Sequence, residues 1–335
     1  MLDLQLIWFL LIGVLLVGYA ILDGFDLGVG MLHLFIAKDD RERRVLLNSI
    51  GPVWDGNEVW LVTAGGAIFA AFPMVYATVF SGFYLALMLL LTALVVRAVS
   101  LEFRSKVEAP AWRATWDAAF AFGSFFPALL FGVAIGNILR GVPIASDGEF
   151  AGTFLGLLNP FSLAVGLLSV AMFLMQGASW LSLRTEDALR ARAMVVARFA
   201  WIAFVALWLI VTLYARFEAP HLFLNYAQPL TWIAPIVCVA AVAAYPFLSG
   251  LRAFAASSVA IAALIAIMGQ ALYPYMVPSL GDLSNGLTIR NASSTPLTLK
   301  VMLAIALVGM PFVVGYTIWI YRRFLTPVVL DEHSY

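Results

Sequence analysis

Four carboxylates sit where the surrounding sequence is otherwise apolar. Asp23 and Asp26 lie in Asp23-Gly24-Phe25-Asp26-Leu27-Gly28-Val29-Gly30, inside the first long hydrophobic stretch. Asp55 and Glu58 lie in Trp54-Asp55-Gly56-Asn57-Glu58-Val59-Trp60, at the start of the second. A charged side chain at a bilayer centre costs roughly 2.5–3.5 kcal/mol, so four of them facing lipid would cost on the order of 10 kcal/mol. They must face protein or water. Within each pair the spacing is i, i+3, which puts both acids on one side of a helix. Ionisable groups inside a membrane mark proton and ion paths, and clustered carboxylates perturb one another's proton affinity. The chemistry this pattern suggests is proton transfer. A purely structural reading is also open: Gly24 and Gly28 form a small-xxx-small packing step, Asp55 could cap a helix, and Arg97 could be a cytoplasmic anchor. Capping explains one acid near a helix end, not two on each of two helices.

The elements that must position these residues follow from composition. Of 335 residues, 63% are hydrophobic and 11% charged, and the mean hydropathy is +0.98. A soluble surface needs about a quarter charged residues, so this is an all-α polytopic membrane protein. With a net charge of zero, no glycine-rich phosphate loop and no metal-type Cys/His spacing, nucleic acid is excluded as a partner. Apolar runs long enough to span predict nine helices, at about 6–36, 50–72, 74–98, 114–138, 160–183, 196–215, 230–249, 253–276 and 299–321. When the connections are assigned alternately to the two sides, one side receives every Lys and Arg except Arg140, Arg216, Arg290 and Lys300. The positive-inside rule then places the N-terminus outside and the C-terminus in the cytoplasm. The N-terminus runs directly into the first span without a signal-peptide pattern, so that span is read as retained. Both acidic pairs fall in the cytoplasmic half, at a shared depth, with Arg97 near that level as a charge partner. The connections at about 139–159 and 277–298 read as ordered outside loops.

Histidine narrows the chemistry. His33, His221 and His333 are the only three, and none is predicted at mid-membrane, so the chain lacks histidines to hold a haem by axial ligation within a bundle. Any haem belongs to another subunit. The single cysteine, Cys238, reads as a small buried hydrophobe.

Longer runs carry a family resemblance. Gly18 to Gly30, Asn48 to Leu61, Ala64-Gly65-Gly66-Ala67, Phe80-Ser81-Gly82-Phe83-Tyr84, Arg104-Ser105-Lys106, Leu158-Asn159-Pro160-Phe161, Gln176-Gly177-Ala178 and Leu297-Thr298-Leu299 together closely resemble subunit II of cytochrome bd-type quinol oxidases, the cyanide-insensitive branch included. The resemblance implies a single integral membrane domain of residues 1–335, with a first four-helix bundle over about 1–140. A second bundle and one peripheral helix would occupy about 155–325. It implies a place in the bacterial inner membrane, beside a subunit I carrying b-type or b- and d-type haems, with ubiquinol as substrate and room for a small accessory subunit. Quinone and lipid are further implied contacts, and this chain ligates no cofactor. The family's proton path carries over onto Asp55, with Asp26 and Arg97 nearby as a charge pair or relay and Asp23 and Glu58 beside them. Trp60 matches a residue lining the family's dioxygen route. Glu58 stands where better-known members have glutamine. Two other functions compete on sequence grounds: a proton-coupled secondary transporter, and a structural subunit whose acids are locked in salt bridges.

Overall fold

The computed structural model describes residues 3–330, so His333 lies outside the described part. Eleven α-helices follow in order: α1 (Leu4–Ile36), α2 (Asp40–Ile50), α3 (Trp54–Ala71), α4 (Pro73–Gly82), α5 (Tyr84–Phe103), α6 (Pro110–Arg140), α7 (Pro160–Arg184), α8 (Asp187–Glu218), α9 (Ile233–Ala244), α10 (Leu251–Leu272) and α11 (Pro296–Arg323). Proline opens α4, α6, α7 and α11. At that position its missing N–H costs nothing and its fixed φ already suits the helix.

Among the described residues, eight helices are long and apolar enough to cross a membrane: α1, α5, α6, α7, α8, α10, α11, and α9 with its flanking 3₁₀ turns. At the span expected near 50–72 the structure has α3, a helix of 18 residues that falls outside those eight because Asp55, Asn57 and Glu58 dilute its hydropathy. Two short helices, α2 and α4, escaped the hydropathy reading. The first is polar and only 11 residues long, the second only 10. As a result the expected span at 74–98 divides at Phe83 into α4 and α5.

α1 is the axis. Every residue from Asp23 to His33 is buried, with α3, α6, α7 and α10 packed around it. The tightest crossing is with α7. A Cβ at Gly28 would lie 2.1 Å from the Phe173 carbonyl oxygen and 2.8 Å from the Gly177 Cα, and one at Gly177 would lie 2.6 Å from the Gly28 Cα. Only glycine at both positions allows the two backbones to touch, so the Gly24 to Gly28 step does serve as a packing seam. Cys238 is fully buried, as expected of a small hydrophobe. The loops at 139–159 and 277–298 are ordered against each other: the Val142 N–H donates to Pro278 O at 3.1 Å, and β1 (Tyr275–Val277) pairs antiparallel with β2 (Leu287–Thr288). By contrast α11 is peripheral, burying only Leu299.

Candidate functional site

Three of the four acids of the sequence reading, Asp23, Asp26 and Glu58, come together where α1, α3 and α5 meet, and Asp55 lies at the surface one turn before Glu58. Asp23 and Arg97 are both fully buried and form a two-pronged ion pair, Nη2 to Oδ1 at 2.5 Å and Nη1 to Oδ2 at 3.1 Å. Glu58 approaches the same guanidinium, with Oε1 3.6 Å from Nη2, and its side chain keeps 26% of its surface exposed. A Cβ added at Gly123 of α6 would lie 2.8 Å from the Arg97 backbone nitrogen, so α6 presses α5 inward at this point and buries Arg97.

Asp26 has different company. The Asn57 side-chain amide donates to its Oδ2 at 2.7 Å and to the Leu22 carbonyl at 3.2 Å. The Tyr321 hydroxyl, from the peripheral helix α11, donates to Asn57 Oδ1 at 2.8 Å. Asp26 Oδ1 is buried and has no partner within the described residues. The expected Asp26–Arg97 charge pair is therefore corrected: the guanidinium's carboxylate is Asp23, and Asp26 is held by an amide. Successive positions at i, i+3 fall about 60° apart around a helix, so Asp23 turns toward α5 while Asp26 turns toward α3.

Asp55 lies in the first turn of α3 and is exposed. The N-terminal cap of α3 is Val53, with no side-chain cap bond, so Asp55 is not a capping residue. One turn along, Glu58 leads from that surface to Arg97. Trp60 faces α1, where a Cβ at Gly18 would lie 2.2 Å from its ring. Tyr19, one turn from Asp23, is buried with an unpartnered hydroxyl and lines an apolar cavity of about 650 Å³ between α1, α6, α7, α8 and α10.

A second ionic cluster was not anticipated. Asp117 of α6 is fully buried and receives Arg104 Nε at 2.5 Å, Arg43 Nη1 at 2.6 Å and a 2.6 Å contact from His33 Nε2. His33, expected as an ordinary interfacial side chain, is fully buried beside it. The signal was present in the sequence, because Asp117 lies within the predicted span at 114–138 and the cost of an intramembrane acid applies to it as to Asp23. Asn57 and Tyr321 were also missed, and only the 264-residue separation of their contact explains why.

The comparisons with known proteins agree over the length of the chain. Residues 4–324 match the family model described as cytochrome bd terminal oxidase subunit II. The chain is 41% identical to the cytochrome bd-I ubiquinol oxidase subunit 2 of Escherichia coli K12, over 98% of this chain and 96% of that protein. It is 36% identical to the cytochrome bd ubiquinol oxidase subunit 2 of Bacillus subtilis, over 97% and 96%. Its fold is similar to a chain of the bd oxidase from Geobacillus thermodenitrificans, with a TM-score of 0.79 at 20% identity, covering 97% of this chain and 99% of that one.

Proposed function

The chain belongs to the cytochrome bd terminal oxidase subunit II family, and from that membership we propose that it is the haem-free subunit of a bacterial inner-membrane quinol:dioxygen oxidoreductase. In that role it takes up protons from the cytoplasm and scaffolds the haem-bearing subunit I. The observation that carries the proton role is the run of groups from the exposed Asp55 through the partly buried Glu58 to a buried cluster.

Within that cluster the acids divide by their partners. Asp23 has both oxygens engaged by Arg97 and braces α1 against α5. Asp26 has one oxygen held by Asn57 and the other free to take a proton. Asp55 and Glu58 then collect protons, Asp26 holds one inside, and the Asn57–Tyr321 pair keeps Asp26 in place. Membership along the full length of an oxidase family displaces the secondary-transporter reading.

One feature supports the placement of the haems on subunit I, and a second supports the contact with that subunit. His33 Nε2 is engaged by Asp117, and His221 Nε2 by the Leu139 carbonyl, so neither described histidine offers that nitrogen to an iron. Gly56, Gly65 and Gly66 of α3 have nothing within 4 Å of a built Cβ, while Val59 and Val62 are 54% and 73% exposed. A face of small and apolar residues suits close approach of a partner helix. We read nine spans with α3 as the ninth, arranged as two four-helix bundles meeting near residues 140–155 with α11 outside them, the N-terminus periplasmic and the C-terminus cytoplasmic. Trp60 is assigned to the dioxygen route on the family's pattern.

The test is Asp55→Asn in the assembled oxidase. The expected result is haem absorption unchanged and quinol-oxidase turnover lowered about a hundredfold or more, the lower end of the range for a lost proton-transfer group. Full turnover would remove Asp55 from the path.

A further inference from the structure

A second pocket, of about 320 Å³, lies at the end of the molecule that carries most of the cations. It is walled by Lys38 after α1, Asp39, Asp40 and Arg43 of the α2 start, Arg104 after α5, and Glu108, Pro110 and Arg113 around the start of α6. Three guanidiniums here each retain a buried donor without a partner: Arg43 Nε, Arg104 Nη1 and Arg113 Nε. Arg104 is only 2% exposed, so its free Nη1 is a desolvated donor in the pocket wall, a costly arrangement unless an acceptor arrives.

The acids of the lining are already committed or peripheral. Asp40 is shared between Arg104 at 2.8 Å and Arg113 at 2.9 Å, and Asp39 caps α2 by accepting from the Glu42 N–H. Glu108 is exposed at the rim. Asp117, behind the pocket wall, accepts from Arg43 Nη1 and from both Nε and Nη2 of Arg104, which leaves Arg104 Nη1 over. α6 begins at Pro110 with no side-chain cap, and Pro110, Arg113 and Ala114 of its first turns line the pocket, so the positive end of a 31-residue helix lies beside it and favours an anion.

The depth of the pocket is marked by aromatic side chains. Trp112 and Trp116, with ring centroids 5.5 Å apart, and Phe103, 5.6 Å from Trp116, form a cluster beside it. Tryptophan collects at the level of lipid headgroups. Forked guanidinium donors match phosphate oxygens, and basic pockets between membrane helices recognise anionic headgroups. We propose that this pocket binds the phosphodiester headgroup of an anionic phospholipid, with Arg104 and Arg113 donating to its oxygens, Lys38 at the mouth, and the acyl chains running past Phe103 and Trp112.

The test uses the purified oxidase complex, wild type and Lys38→Gln/Arg113→Gln, stripped of lipid in detergent. Each is titrated with phosphatidylglycerol, phosphatidylcholine and inorganic phosphate, and binding is read by native mass spectrometry and thermal unfolding. The expected result is that wild type binds phosphatidylglycerol in preference to both other probes, and that the double variant binds it about tenfold more weakly. Lys38→Gln alone, which touches no buried ion pair, is expected to weaken binding measurably at unchanged unfolding temperature without lipid. Arg252→Gln, an exposed cation elsewhere, is expected to have no effect. Equal binding by wild type and double variant would overturn the proposal. So would an equal loss in the Arg252 variant, or inorganic phosphate matching phosphatidylglycerol at equal concentration, which would indicate a soluble-anion site.

Discussion

Arg97 and Asp23 can be set against Arg97 and Asp26 in a pair of double-mutant cycles, built from Asp23→Asn, Asp26→Asn and Arg97→Gln. The Arg97–Asp23 pair is fully buried and two-pronged, so removing either partner strands an uncompensated charge in a low-dielectric interior, at about 3–5 kcal/mol. Replacing both leaves a neutral amide pair of similar shape, so the double variant should cost little more than one single. The coupling energy is then about 3 kcal/mol, a factor of roughly 150 in the folding equilibrium. Asp26 receives its hydrogen bond from Asn57, and its coupling to Arg97 should stay below about 1 kcal/mol. The assay is denaturant unfolding of the purified complex followed by haem absorbance and tryptophan fluorescence. If the Asp23 cycle is additive within about 0.5 kcal/mol, or the Asp26 cycle shows the larger coupling, the division into a bracing and a proton-holding acid is wrong.

Gly28→Ala should destabilise the chain by about 3 kcal/mol or more, because the added Cβ meets backbone of α7 that cannot rotate away; a drop in unfolding temperature checks it. Tyr321→Phe removes one hydrogen bond from Asn57, and should cost about 0.5–1.5 kcal/mol while lowering turnover with haem content unchanged. His221, in the connection after α8, is held below its usual value by burial, opposed by its bond with the Leu139 carbonyl. The unfolded chain therefore binds its proton at higher pH than the folded one. The contribution of neutral His221 is full above about pH 6.5 and is lost as pH falls through the folded value. Unfolding temperature should decline over that range in wild type and decline less in His221→Gln.

Much of this was legible beforehand because cost and period are local properties. The penalty for acids in lipid singled out Asp23, Asp26, Asp55 and Glu58. Hydropathy placed most spans, and counting from each side gave the two pairs a common depth; in the structure Asn57, between Asp55 and Glu58, bonds to Asp26. What periodicity lacks is azimuth. Spacing of i, i+3 put Asp23 and Asp26 on one side of α1 without saying which helix each would meet, so it left open which acid Arg97 pairs with, and the structure gives Asp23 where the resemblance implied Asp26 as charge pair or relay. Asp117 was overlooked because a long apolar window averages a single acid away. α2 and α4 fell below the length at which such a window responds, and the Tyr321 contact spans nearly the whole chain.

The glycine contact between α1 and α7 also bears on how the protein meets membranes of different thickness. A helix that spans a thicker or thinner bilayer usually answers by changing its tilt. α1 cannot do so alone, since Gly28 and Gly177 bring two backbones into contact with no side chain between them to slide. Mismatch must instead be absorbed at the periphery, by the part of α11 before Tyr321, which buries only Leu299, while Tyr321 stays tied to Asn57. Asp23 and Asp26 then keep their depth relative to α7 whatever the acyl-chain length of the host lipid, and a change of growth temperature that remodels the lipids leaves their spacing untouched.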